Sequence, residues 1–199
     1  MSASVESAAV ASTAVASPAT QTAPAFPGGY RFCPRCATAL SRGVPAGADD
    51  PRERTLCGNC GWVHWDNPLP VVAALVQLGD QILLARNAAW TPGKFALIAG
   101  FLERGETPEG GIAREVKEET GLTVVETTMI GVYPFLLRNE LLMVFHVRAE
   151  GDVQLSPELV EYKLVAPADL VPWPQGTGPA VGDWMRSQGL AVPDAVPLP

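Results

Sequence analysis

The chain has 199 residues, 47% of them hydrophobic and 18% charged, which supplies one core of ordinary size plus a small module. No run approaches the roughly 20 apolar residues of a membrane helix, so no membrane span is expected. A net charge of −7 argues against binding nucleic acid through its phosphates, and four cysteines are too few for a disulfide scaffold of this length.

Residues 1–29 are mostly Ala, Ser, Thr and Pro, with no Lys or Arg before Arg31. The stretch reads neither as a secretory signal nor as an Arg-rich transit peptide, so a disordered tail and a cytoplasmic location are expected. Residues 30–67 form a Cys-bearing, turn-rich region whose middle, Ala37 to Leu56, reads as a loop. The remaining domain, 68–199, opens with the apolar run Val71–Leu78, the turn Gly79-Asp80 and a second strand over 81–86. A short strand is expected over 95–99. Thr107-Pro108 then opens a helix that runs to Thr120, with Gly121 as its stop. Strands follow near 122–132, 141–148 and 162–166, and a last helix near 179–188.

Cys33-Pro34-Arg35-Cys36 and Cys57-Gly58-Asn59-Cys60 are two C-x2-C knuckles 20 residues apart, the spacing of a four-thiolate structural zinc site. A metal-free ribbon, a redox pair and disulfides are the alternatives. A closed four-sulfur site has no open position, so catalysis belongs elsewhere.

Glu115, Glu118 and Glu119 stand at i, i+3 and i+4 and share one side of the predicted helix, while Ile112, Ala113 and Val116 take the adjoining side. Like charges at this spacing repel, and hard oxygen ligands suit Mg²⁺ or Mn²⁺. A solvated acidic face is the plain alternative. The preceding loop decides between them. From Gly100 to Leu122 the chain follows G-x5-E-x7-R-E-U-x-E-E-x-G-U, where U is bulky and aliphatic, through Gly100, Glu106, Arg114, Glu115, Val116, Glu118, Glu119, Gly121 and Leu122.

This segment resembles the Nudix box. The resemblance implies an α/β protein, a Nudix α/β/α sandwich with a mixed sheet, preceded here by a small zinc ribbon. It assigns Mg²⁺ or Mn²⁺ to Glu115 and Glu119, with Glu118 assisting or orienting water and the Ala99 carbonyl completing the shell. Glu106 and Arg114 would brace the loop and helix as an ion pair. A ribbon before such a domain is similar to the NADH pyrophosphatase group, which splits NADH or NAD into nicotinamide mononucleotide and AMP. That likeness implies a further metal ligand at Glu158, with Glu161 as the alternative, and a base-stacking Trp65. The turn before the last helix, 176–180, could meet a phosphate through its N–H groups, which makes Ala180 a candidate substrate contact. The group also suggests a homodimer. The group's Ser-Gln-Pro-Trp-Pro-Phe-Pro array is replaced by Val132-Tyr133-Pro134-Phe135-Leu136, so FAD and ADP-ribose stay beside NADH as substrates. The expected partner is a small nucleotide, with neither nucleic acid nor membrane. A non-catalytic nucleotide sensor is the reading from another class.

Overall fold

The computed structural model describes residues 29–199, so the tail expected at the N-terminus lies outside the described residues except for Gly29. The chain divides between Asp66 and Asn67 into two compact units.

The described part of the first unit carries β1 (Ser41–Gly43), β2 (Arg54–Leu56) and β3 (Val63–His64) in one antiparallel sheet of that order. β1 and β2 fall in the stretch expected to be a loop. Their pairing, Arg42 opposite Thr55 and Gly43 opposite Arg54, creates them, and three-residue strands leave no periodicity to read. Among the described residues of this unit, the buried hydrophobic cluster is Cys33, Leu40 and Cys57, with Trp62 packed against it. An apolar core this small does not hold a fold of this length by itself.

In the second unit, β4 (Leu69–Leu78) and β8 (Glu140–Glu150) run parallel over ten pairs, from Leu69–Glu140 to Leu78–Ala149. β5 (Gln81–Asn87), β6 (Ile98–Phe101), β7 (Thr123–Phe135) and β9 (Leu159–Val165) add antiparallel pairings, giving the path β7-β8-β4-β5-β9 with β6 on β4. The sheet is mixed, as the resemblance implied. β4 is buried on both faces and its residues alternate between two clusters. Val71, Ala73 and Leu75 pack under α2 (Gly178–Ser187) with Val181, Trp184 and Met185. Val72, Ala74 and Val76 pack under α1 (Pro108–Thr120) with Ile112 and Val116. The sheet therefore lies between two helices.

The bounds of α1 follow from its ends. The Thr107 hydroxyl accepts from the Gly110 N–H at 3.1 Å, and Pro108 occupies the first turn, where its missing N–H costs nothing. Gly121 adopts φ 73° and donates its N–H to the Lys117 carbonyl. One expected strand shifts. Ala96 makes only an isolated bridge to Ala85, and β6 begins at Ile98 because Val71 to Ala74 of β4 pair with Phe101 to Ile98. Gly100 thus lies inside a strand and does not end one. β9 likewise starts at Leu159, earlier than the apolar pattern indicates, since it pairs with β5 from Asn87 onward.

Candidate active site

α1 turns Ile112 and Val116 fully into the core, which leaves Glu115, Glu118 and Glu119 at its flank. Glu115 reaches β6. A Cβ at Gly100 would lie 2.0 Å from the Glu115 Oε1, so only glycine admits the carboxylate against the Ala99–Gly100 peptide. Gly100 is required here for space, not for its φ.

Arg114 binds three carboxylates at once. Its Nε donates to Glu106 Oε1 at 2.7 Å and its Nη2 to Glu106 Oε2 at 2.9 Å, a bidentate pair. Its Nη1 donates to Glu115 Oε1 at 2.8 Å and to Glu118 Oε2 at 3.2 Å. Its Nη2 also reaches the Phe101 carbonyl at 3.2 Å, which fixes α1 to β6. The guanidinium, helped by the Glu103 N–H, holds the Glu106 carboxyl down at about 2.

Glu119 is the opposite case. Burial first, then the charges of Glu115, Glu158 and Glu118, push its carboxyl up to about 7. Glu158 stands just before β9, and the loop it belongs to is tied to the end of α1 by the Ser156 N–H on the Glu119 carbonyl at 2.9 Å. Glu161 faces elsewhere: it lies opposite Arg86 in the sheet and pairs with it at 3.1 Å. Of the two alternatives, Glu158 is the one that shares an electrostatic environment with Glu119.

Among the described residues, no three of these carboxylates gather within 4.8 Å of one another, and only the four cysteines form such a group. Arg114 Nη1 holds Glu115 and Glu118 together, whereas Glu119 makes no hydrogen bond or ion pair with it. The donor set nevertheless fits a divalent cation. It consists of carboxylate oxygens beside a peptide carbonyl, and Glu119, raised first by burial and then by the neighbouring carboxylates, is a group whose charged form a cation would favour.

Ala99, Gly100 and Glu119 open into a cavity of about 580 Å³, inside the usual range for small-molecule sites. Trp90, Phe135, Trp173, Lys94 and Arg138 complete much of its wall. Most of these stand in loops and turns, where no periodicity points to them. Leu198 also reaches the wall, from a C-terminal stretch whose composition carried no functional signal.

Two sequence candidates are not among the residues that line this cavity. Trp65 belongs to the first unit, is 51% exposed, and has the Arg54 guanidinium 5.4 Å from its ring centroid. Ala180 is fully buried in the core under α2, and the cavity wall is formed by Gly176 and Thr177 just before the helix. A Cβ at Gly178 would meet the Trp173 carbonyl oxygen, so the first turn of α2 is packed against that backbone.

In the first unit the two knuckles repeat one geometry. The Ala37 N–H donates to the Cys33 carbonyl and the Gly61 N–H to the Cys57 carbonyl, at 2.9 and 3.0 Å. Cys33 and Cys60 Sγ lie 3.5 Å apart, as do those of Cys36 and Cys57. A tetrahedral zinc with Zn–S bonds near 2.3 Å separates its sulfurs by about 3.8 Å, so the four thiols fit that ion.

The Nudix domain family matches residues 67–185, and the Nudix N-terminal zinc-ribbon family matches residues 31–66. The chain belongs to the Nudix hydrolase family. It is 33% identical over 133 residues to the NAD-capped RNA hydrolase NudC of Stutzerimonas stutzeri, covering 66% of this chain and 46% of that one. It is 36% identical over 131 residues to the protein of the same name from Vibrio atlanticus, with the same coverage. The chain thus spans about half the length of the curated relatives it matches. The crystal structure of a NUDIX hydrolase from Nitrosomonas europaea superposes with a TM-score of 0.68 at 26% identity, over 83% of this chain and 97% of that one.

Proposed function

We propose that the chain hydrolyses the diphosphate bond of a nucleoside diphosphate derivative, with NADH or NAD as the leading substrate and nicotinamide mononucleotide and AMP as products. The observation that carries this reading is the opening of Glu119, Gly100 and the Ala99 carbonyl into a cavity walled by Trp90, Phe135 and Trp173. Aromatic walls suit a base or nicotinamide ring, and the carboxylate end suits a metal-bound diphosphate.

Glu115, Glu119, Glu158 and the Ala99 carbonyl would hold Mg²⁺ or Mn²⁺. When bound, such a cation offsets negative charge on the phosphate oxygens and lowers the pKa of water. Glu118, exposed at the flank of α1, orients or deprotonates the attacking water. Glu106 and Arg114 keep the loop and helix in register, and Arg114 also stops Glu115 and Glu118 from splaying apart. Water adds to one phosphorus, the bridging oxygen leaves with the other, and two monophosphates result. Zinc, held by Cys33, Cys36, Cys57 and Cys60, is structural.

FAD and ADP-ribose offer the same diphosphate with a different second half. The name NAD-capped RNA hydrolase, borne by these relatives, favours a further reading, in which an NAD cap is removed from RNA. The test is product analysis with ADP-ribose, NADH, NAD, FAD and NAD-capped RNA in Mg²⁺ or Mn²⁺. Glu119→Gln should lower kcat at least about 100-fold, the usual cost of a principal electrostatic contact in the transition state. Glu103→Gln, whose side chain lies outside the box pattern, should leave kcat near wild type. Equal turnover by Glu119→Gln and wild type would remove the assignment. Absence of solvent ¹⁸O from both products would remove hydrolysis.

A further inference from the structure

The segment from Val196 to Pro199 borders two hollow spaces. Pro197 and Leu198 line the cavity that Glu119 also lines, and they line a second cavity of about 340 Å³ as well. That second space is bounded by Phe95, Lys163, Val165 and Leu170, with Trp173 shared between the two. The segment is therefore a boundary common to both spaces.

Its fastening is slight. The Val196 N–H donates to the Pro172 carbonyl at 2.9 Å, and the Thr91 hydroxyl donates to the Pro199 carbonyl at 3.1 Å. Pro197 and Pro199 have no N–H to add to these. Leu198 is the apolar anchor and packs against the cluster under α2. Because it lines both cavities and is only partly buried, its side chain borders the larger space without being enclosed in the core.

We propose that this segment, through Leu198, is a specificity wall that limits the size of the group on the far side of the diphosphate. The inference rests on the reading of the larger cavity as the diphosphate site. A nicotinamide or plain ribose half needs only the 580 Å³ space, whereas an isoalloxazine half would profit from the volume behind the wall.

The test compares wild type with Leu198→Ala, Leu198→Trp, Thr91→Val and a chain lacking residues 196–199. Thr91 lies outside both cavity walls, so Thr91→Val loosens the segment without reshaping the space directly. Values of kcat/KM are measured for ADP-ribose and FAD in Mg²⁺, and melting temperatures check the fold. Leu198→Ala and the shortened chain should raise the FAD to ADP-ribose ratio about 10-fold, the effect of a few methylenes in an apolar pocket, and mainly through KM. Thr91→Val should move it the same way by less, and Leu198→Trp should lower it.

The same variants are titrated with both nucleotides in Ca²⁺, following the tryptophan fluorescence to which Trp90 and Trp173 contribute. A shifted binding ratio with no turnover by wild type of ADP-ribose, FAD, NADH or NAD keeps the wall and overturns the hydrolytic reading. Turnover with both ratios unchanged in folded variants overturns the wall and leaves the hydrolytic reading standing. A parallel change for both nucleotides also overturns it, because a merely structural segment would act on them alike.

Discussion

Ala37 stands at φ 58° where the second knuckle has Gly61 at 72°. Both positions close a C-x2-C turn, but an alanine in the left-handed region costs about 1–2 kcal/mol. Ala37→Gly should therefore stabilise the ribbon by about 0.5–1 kcal/mol, since glycine's extra freedom in the unfolded chain returns part of the gain. The chelator concentration that extracts half the zinc should rise, and no change would show that the strain is absorbed elsewhere. Glu106 gives a pH prediction. Its folded pKa of about 2 lies below the ordinary 4.5, so the pairing with Arg114 contributes stability that is complete above that ordinary value and is lost as pH falls toward 2. Glu106→Gln should flatten this acid limb in denaturation curves taken across pH.

The elements owe their positions to different causes. α1 is defined locally by Thr107, Pro108 and Gly121, which is why its bounds could be read from the residues alone. Thr107→Ala removes the hydroxyl that accepts from Gly110 and should cost about 1 kcal/mol by urea denaturation. β6 is defined by its partner. The apolar stretch before Gly100 gave no sign that the strand would run on to Phe101, because that extension comes from pairing with β4, more than 20 residues away in sequence. Gly100→Ala tests what the shift means. Its Cβ would collide with the Glu115 carboxylate, so metal-dependent turnover should fall sharply while the thermal transition survives. Survival of full activity would show that Glu115 can act from another position.

At the scale of the whole molecule, the proposed metal role of Glu119 would couple ion binding to stability. Its folded pKa of about 7 exceeds the ordinary 4.5, so between these values the folded chain binds more protons than the unfolded one, and stability declines as pH rises. Added Mg²⁺ should reverse that decline and release protons on binding, most strongly on the acid side of neutrality. Melting temperatures across this range, with and without Mg²⁺, check the sign. What the sequence determined by itself was whatever is carried by fixed spacing along one element: the glutamates at i, i+3 and i+4, the caps of α1, and the paired cysteine knuckles. The tertiary structure decided what depends on separate segments coming together. It set Glu158 in the field of Glu119 while Arg86 held Glu161 away, pressed Glu115 against Gly100, buried Ala180, and ran Leu198 along the cavity wall. Spacing survives in a one-dimensional pattern because a helix or a knuckle repeats it locally. A cavity does not, because its walls come from loops and strand ends whose only common property is where the sheet places them.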